Sequence, residues 1–250
     1  YQLPLGVVGV AIGVVLLPDL SRRLQASDVA GGQTAFSRAS EISLALTLPA
    51  AVALLAIPLP LISVLFERGA FTAQDSAATA LATAIYGAGL PAFVLQKVLQ
   101  PLYFARHDTK SPFRYALVAM VLNAAIAIGL APLIGFTASA FGATLAGWGM
   151  TWLLWRGSRG MGAAAELDAR FWERLPRIVA ASLVMGSMLW GAAWLLGTWL
   201  TTDTVRYAAL ALLIALGMAA YAVVGQLIGA FSLRELRQQL RRSAAADPAQ

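Results

Sequence analysis

Residues 115–155 read YALVAMVLNAAIAIGLAPLIGFTASAFGATLAGWGMTWLLW, a run of 41 residues without one Asp, Glu, Lys or Arg. In a soluble domain about a quarter of residues are charged, so a run this long belongs in hydrocarbon. A bilayer core about 30 Å thick takes about 20 helical residues at 1.5 Å each. The stretch is therefore long enough for two crossings. Pro132 and Gly135 supply a turn signal near its middle, which divides it into spans 115–133 and 136–155. Backbone groups in lipid must pair within their own segment, and that selects helices. The alternating pattern of a membrane barrel is absent.

The same reading extends outward. Further apolar runs cover 1–18, 42–66, 77–104, 178–200 and 207–231, giving seven spans in all. The fold class is an all-α polytopic membrane protein. Composition agrees, with 59% hydrophobic and 12% charged residues and a mean hydropathy of +0.73. The chain starts at Tyr1 inside an apolar run, which reads as a fragment lacking its upstream part. Residues 1–17 lack the basic start and cleavage pattern of a signal peptide. The net charge of +6 does not indicate nucleic acid, because the charges form short clusters between spans and no basic face. The absence of cysteine excludes disulfides and thiolate metal sites.

Those clusters set the orientation. Arg22, Arg23 and Arg38 lie in 18–41, and Arg106, Lys110 and Arg114 in 103–114. Arg156, Arg159, Arg170, Arg174 and Arg177 lie in 156–177, and Arg234, Arg237, Arg241 and Arg242 in the tail. Fifteen of the 18 lysines and arginines thus fall on one side, against Arg68 and Arg206 on the other. Basic loops stay cytoplasmic, so the C-terminus is expected inside. Residues 232–242 read as a helix at the cytoplasmic interface. The tryptophans near span ends read as an aromatic belt.

One cation lies inside a span. Lys97 follows an uncharged run from Ser76 to Gln96 and is flanked by Gln96 and Gln100. A charge deep in the bilayer costs roughly 2.5–3.5 kcal/mol even on the lenient insertion scale. Two explanations stand: the side chain snorkels to the interface, or it faces a wet cavity and meets an anion. The amides, which have little reason to face lipid, favour the cavity. Gln2 and Asn123 are further polar candidates, Asn123 also being suited to an interhelical hydrogen bond. No carboxylate lies within any of the seven spans. His107 sits in a basic loop, and no nucleophile–base pair or metal-ligand set can be assembled. No enzyme, cofactor or metal is expected.

Three stretches carry a family resemblance: YQLPLGVVGVAIGVVLLPDLSRR (1–23), LISVLFERGAFTAQDS (61–76) and LQKVLQPLYFARHDTKSP (95–112). They resemble the eighth helix, the loop after the ninth, and the tenth helix with its following loop in the MurJ/MviN family of lipid II flippases. The resemblance implies a fourteen-helix protein of two six-helix lobes plus an extra C-terminal pair, shared with the multidrug, oligosaccharidyl-lipid and polysaccharide exporters. On that basis 1–157 is most of the second lobe (family helices eight to twelve). Residues 158–177 are a cytoplasmic linker, 178–231 the extra pair (helices thirteen and fourteen), and 232–250 a cytoplasmic tail.

The implied activity is movement of lipid II, an undecaprenyl-pyrophosphate-linked cell-wall precursor, from inner to outer leaflet of the bacterial cytoplasmic membrane by alternating access. The implied partners are lipid II, membrane lipids and the missing N-terminal lobe. Lys97 would supply positive charge to the pyrophosphate, with Gln96, Gln100, Gln2 and Asn123 supplying neutral hydrogen bonds. The family often has an acid where Gln2 stands and, in some members, one near Asn123 at a sodium site, so sodium coupling is not expected. The alternatives are export of another lipid-linked oligosaccharide, a non-transporting membrane scaffold, or a membrane glycosyltransferase with its acids in the missing half.

Overall fold

The computed structural model describes residue 6 and residues 18–26, 28–202 and 204–230. Among these there are helices, turns and two 3₁₀ turns, and no strand. Residues 18–25 are helical. The expected span 1–18 and the tail helix 232–242 lie almost wholly outside the described residues.

Helix α1, Val29–Ala56, begins at an Asp28 cap whose carboxylate accepts the Gly31 N–H at 2.8 Å, supplying a partner for a free first-turn donor. It starts well before the expected span 42–66 and stops within it. Pro58 cannot donate to Leu54 and disfavours a helical Ile57. Ile57 accordingly takes φ −130°, and α2, Pro58–Phe66, restarts with proline in its first turn.

Helix α3, Ala73–Phe104, opens on a capping box: Asp75 N–H donates to Thr72 Oγ1, and Thr72 N–H to the Asp75 carboxylate at 2.9 Å. Helices α4, Lys110–Ile134, and α5, Thr137–Ser158, divide the 41-residue run where Pro132 and Gly135 predict. Gly135 has φ 62° and ψ −139°, a conformation open essentially to glycine. At the other end of α4, Asp108 accepts the Ser111 N–H at 3.0 Å. The Ser111 hydroxyl and N–H hold that carboxyl below the ordinary range.

Two 3₁₀ turns, Arg159–Met161 and Ala163–Ala165, lead to α6, Ala169–Leu195. Helix α6 begins inside the stretch read as a linker. Short α7, Gly197–Thr201, and α8, Arg206–Leu227, complete the described chain. Among the described residues five helices are long and apolar enough to cross a membrane: α1, α3, α4, α6 and α8. The 22 residues of α5 rise about 33 Å, also enough to cross.

Among the described residues three apolar clusters hold the bundle, the smallest joining Ala51 to Leu90 and Val94. At one end Leu20, Phe36, Val98, Leu102, Tyr103 and Leu154 join α1, α3 and α5. At the other, Ile57 and Val64 meet Met185, Leu189, Leu210 and Leu213, joining the α1–α2 break to α6 and α8. Small residues bring the backbones together. A Cβ at Gly147 would lie 2.4 Å from the Phe93 ring, and one at Gly142 2.8 Å from the Asn123 carbonyl oxygen. Such close approach is how helices gain contact in lipid, where no hydrophobic force presses them together.

Candidate functional site

Helix α3 carries Gln96, Lys97 and Gln100, and its attachment to α5 decides where they face. Five side chains bond backbone carbonyls across that seam. Thr144 Oγ1 donates to Ile85 O at 2.9 Å, Trp148 Nε1 to Ala88 O at 3.1 Å and Thr151 Oγ1 to Ala92 O at 2.9 Å. Gln96 Nε2 donates back to Gly147 O at 2.9 Å, and the Tyr103 hydroxyl to Leu154 O at 2.6 Å. This ladder fixes the rotation of α3 about its own axis.

Gln96 is therefore an interhelical tie, its amide N–H engaged by α5. Lys97 is exposed and Gln100 half-buried, and neither makes a hydrogen bond or ion pair among the described residues. Asn123 of α4 is half-buried, with its Oδ1 beside Gly142 of α5. The structure thus keeps Gln96, Lys97 and Gln100 together and seats Asn123 against α5. Gln2 lies outside the described residues.

An apolar groove with a cavity of about 310 Å³ opens between α1, α3, α5 and the start of α6, walled by Phe36, Leu99, Trp148, Trp152, Trp155 and Trp172. Lys97 is two residues from both Leu95 and Leu99, which line the groove. Two residues are about 200° of helical rotation, so the lysine points away from it. The groove and the cation occupy opposite faces of α3. Arg156 and Arg159 stack on Trp152 and Trp155, their guanidinium carbons 5.5 and 3.9 Å from the ring centroids.

A second polar centre was not legible as such in the sequence. Glu41 is buried, 7% exposed, where α1 meets α6. Its carboxylate accepts from Arg38 and, at 2.5 Å, from Arg174 Nη1, with Arg170 Nε 3.8 Å away. Arg38 Nη2 also donates to Asp168 at 2.6 Å. Asp168 in turn caps α6 by accepting the Phe171 N–H at 2.8 Å. The available signal was spacing: Arg38 and Glu41 are three apart, and Arg170 and Arg174 four apart, so each pair shares a helix face.

A bundle of apolar helices with a small-residue seam, an apolar groove and an amide-flanked lysine defines a polytopic helical membrane protein. The family model described as "Lipid II flippase MurJ" matches residues 1–227. The chain is 39% identical over 254 residues to a Rhizobium meliloti (strain 1021) protein described as "Probable lipid II flippase MurJ", covering 98% of this chain and 46% of that protein. It is 40% identical over 260 residues to one of the same description from Rhizobium tropici, covering 98% and 46%. A solved structure, "Lipid II flippase MurJ, inward closed conformation", superposes with TM-score 0.73 at 22% identity, covering 91% of this chain and 44% of that one. The chain belongs to the lipid II flippase MurJ family and spans about half the length of the curated relatives it matches.

Proposed function

We propose that the complete polypeptide carrying this sequence moves lipid II from the inner to the outer leaflet of the bacterial cytoplasmic membrane by alternating access. Family membership supplies the class of cargo. The observation that carries the site is Lys97, exposed on the face of α3 turned away from the groove. A pyrophosphate cannot cross hydrocarbon unaided, and an ammonium in a wet cavity stabilises it through charge-assisted hydrogen bonds. Gln100 offers a neutral hydrogen bond one turn from it, and Gln2 and Asn123 are further amides assigned to the same headgroup. Gln96 contributes chiefly by holding α3 on α5, which aims the lysine. No step of this movement makes or breaks a covalent bond. The chain is a multi-pass membrane protein with its C-terminus on the cytoplasmic side.

The test is flipping of labelled lipid II in vesicles containing the complete polypeptide. Lys97→Ala should lower the rate at least about tenfold, the loss expected for one charge-assisted bond of 1.5–3 kcal/mol, while Lys97→Arg keeps a measurable fraction. An unchanged rate in Lys97→Ala with normal expression would remove the headgroup role and leave a snorkelling lysine.

A further inference from the structure

Helix α1 presents one polar stripe to the C-terminal helices. Ser37, Glu41 and Ala45 are spaced four apart and so share a face. Each is bonded by a different part of the chain that follows α5. Ser37 Oγ accepts the Asp168 N–H at 3.0 Å. Glu41 accepts from Arg174 of α6. The Ala45 carbonyl accepts the Tyr221 hydroxyl of α8 at 2.6 Å.

The third contact has a specific cause. Pro49 lies inside α1 and has no N–H, so the carbonyl four residues back, that of Ala45, loses its helical donor. Tyr221 supplies the missing hydrogen bond from a helix some 170 residues later in sequence. Beyond the proline the stripe continues as close packing: a Cβ at Gly186 of α6 would lie 2.3 Å from Val52 Cγ1.

We propose that the C-terminal helices α6 and α8 are locked to α1 as one mechanical body. The Glu41 ion cluster fastens one end, and Tyr221 fastens the turn before Pro49 by replacing the backbone donor the proline removes. Any movement of α1 then carries the C-terminal pair with it. This reading is independent of what the protein transports, and its tests read stability and geometry.

The decisive experiment uses the complete polypeptide purified in detergent. Tyr221→Phe should lower the melting temperature by roughly 1–2 °C, a small shift because it falls inversely with chain length and the complete polypeptide is about twice as long as this chain. Pro49→Ala restores the N–H, so in that background Tyr221→Phe should cost less than half as much. No loss in the wild-type background, or equal loss in both, overturns the replacement. Spin labels at Leu46 and Met188, both exposed, should give one narrow distance in the native protein. In Glu41→Gln/Tyr221→Phe the distribution should broaden. Two distances in the native protein, or no broadening in the variant, overturn the lock.

Discussion

Glu41 shows how a buried charge is kept. Its carboxylate is removed from solvent, yet Arg38 and Arg174 both donate to it and Arg170 adds a third nearby cation. Removing one partner of such a set leaves uncompensated charge, at a cost of roughly 3–5 kcal/mol. Glu41→Ala should therefore destabilise the complete protein by about that amount, measured as loss of folded fraction in a detergent-challenge assay. A change within about 0.5 kcal/mol would mean the cluster is solvated in the membrane. Gly147 tests packing in the same way. Its missing Cβ would fall inside the Phe93 ring contact at 2.4 Å. Gly147→Val should cost at least the 1–3 kcal/mol typical of overpacking, and more by disturbing the Gln96 bond to the same residue. Gly160, with open space around its Cβ position, is the control that should tolerate alanine with little loss.

At the scale of elements, the sequence made the helices visible and hid their junctions. Uncharged runs and the Pro132–Gly135 signal placed α3, α4, α5 and α8 within a few residues, because hydrocarbon thickness dictates the length of an uncharged run. Helix α1 was misjudged at both ends. Its first turns contain Gln33, Thr34, Arg38 and Glu41, which read as loop but are helical. Its end at Ala56 was signalled by Pro58, a break that uniform hydropathy across 42–66 concealed. Lys97 could be identified by its isolation, but its direction required the α3–α5 ladder, and no sequence pattern encodes which carbonyl a threonine will reach. The α4–α5 turn gives a prediction at this scale. Gly135 has open space at its Cβ position, so Gly135→Ala adds backbone strain without a clash. The expected cost is about 1–3 kcal/mol, read as a lowered melting temperature. A neutral substitution would mean the turn relaxes to another conformation.

For the whole molecule, the helices and the charges give one arrangement in the membrane. The α3–α4 and α5–α6 turns with the helix ends beside them, and the residues before α1, carry Arg22, Arg23, Arg106, Lys110, Arg156 and Arg159, whereas Arg68 lies in the α2–α3 turn and Arg206 at the start of α8. Helices α1 with α2, α3, α4, α5 and α6 with α7 alternate direction between those two sets. The proposed orientation places the basic set on the cytoplasmic side, with Gly160 inside the cell and Gly69 outside. This chain has no cysteine, so it adds no background of its own to a single cysteine substitution. In intact cells, Gly69→Cys should react with a membrane-impermeant thiol reagent, its site being exposed at a positive-φ turn that requires mild accommodation. A neighbouring Thr72→Cys variant covers the case in which that strain lowers expression. Gly160→Cys should be protected until the membrane is permeabilised. Labelling in the opposite order would invert the molecule. Lys97, about ten residues before the basic turn that starts at Arg106, would then stand nearer the outer leaflet than the inner one, and a headgroup entering from the cytoplasm would meet it late in its passage.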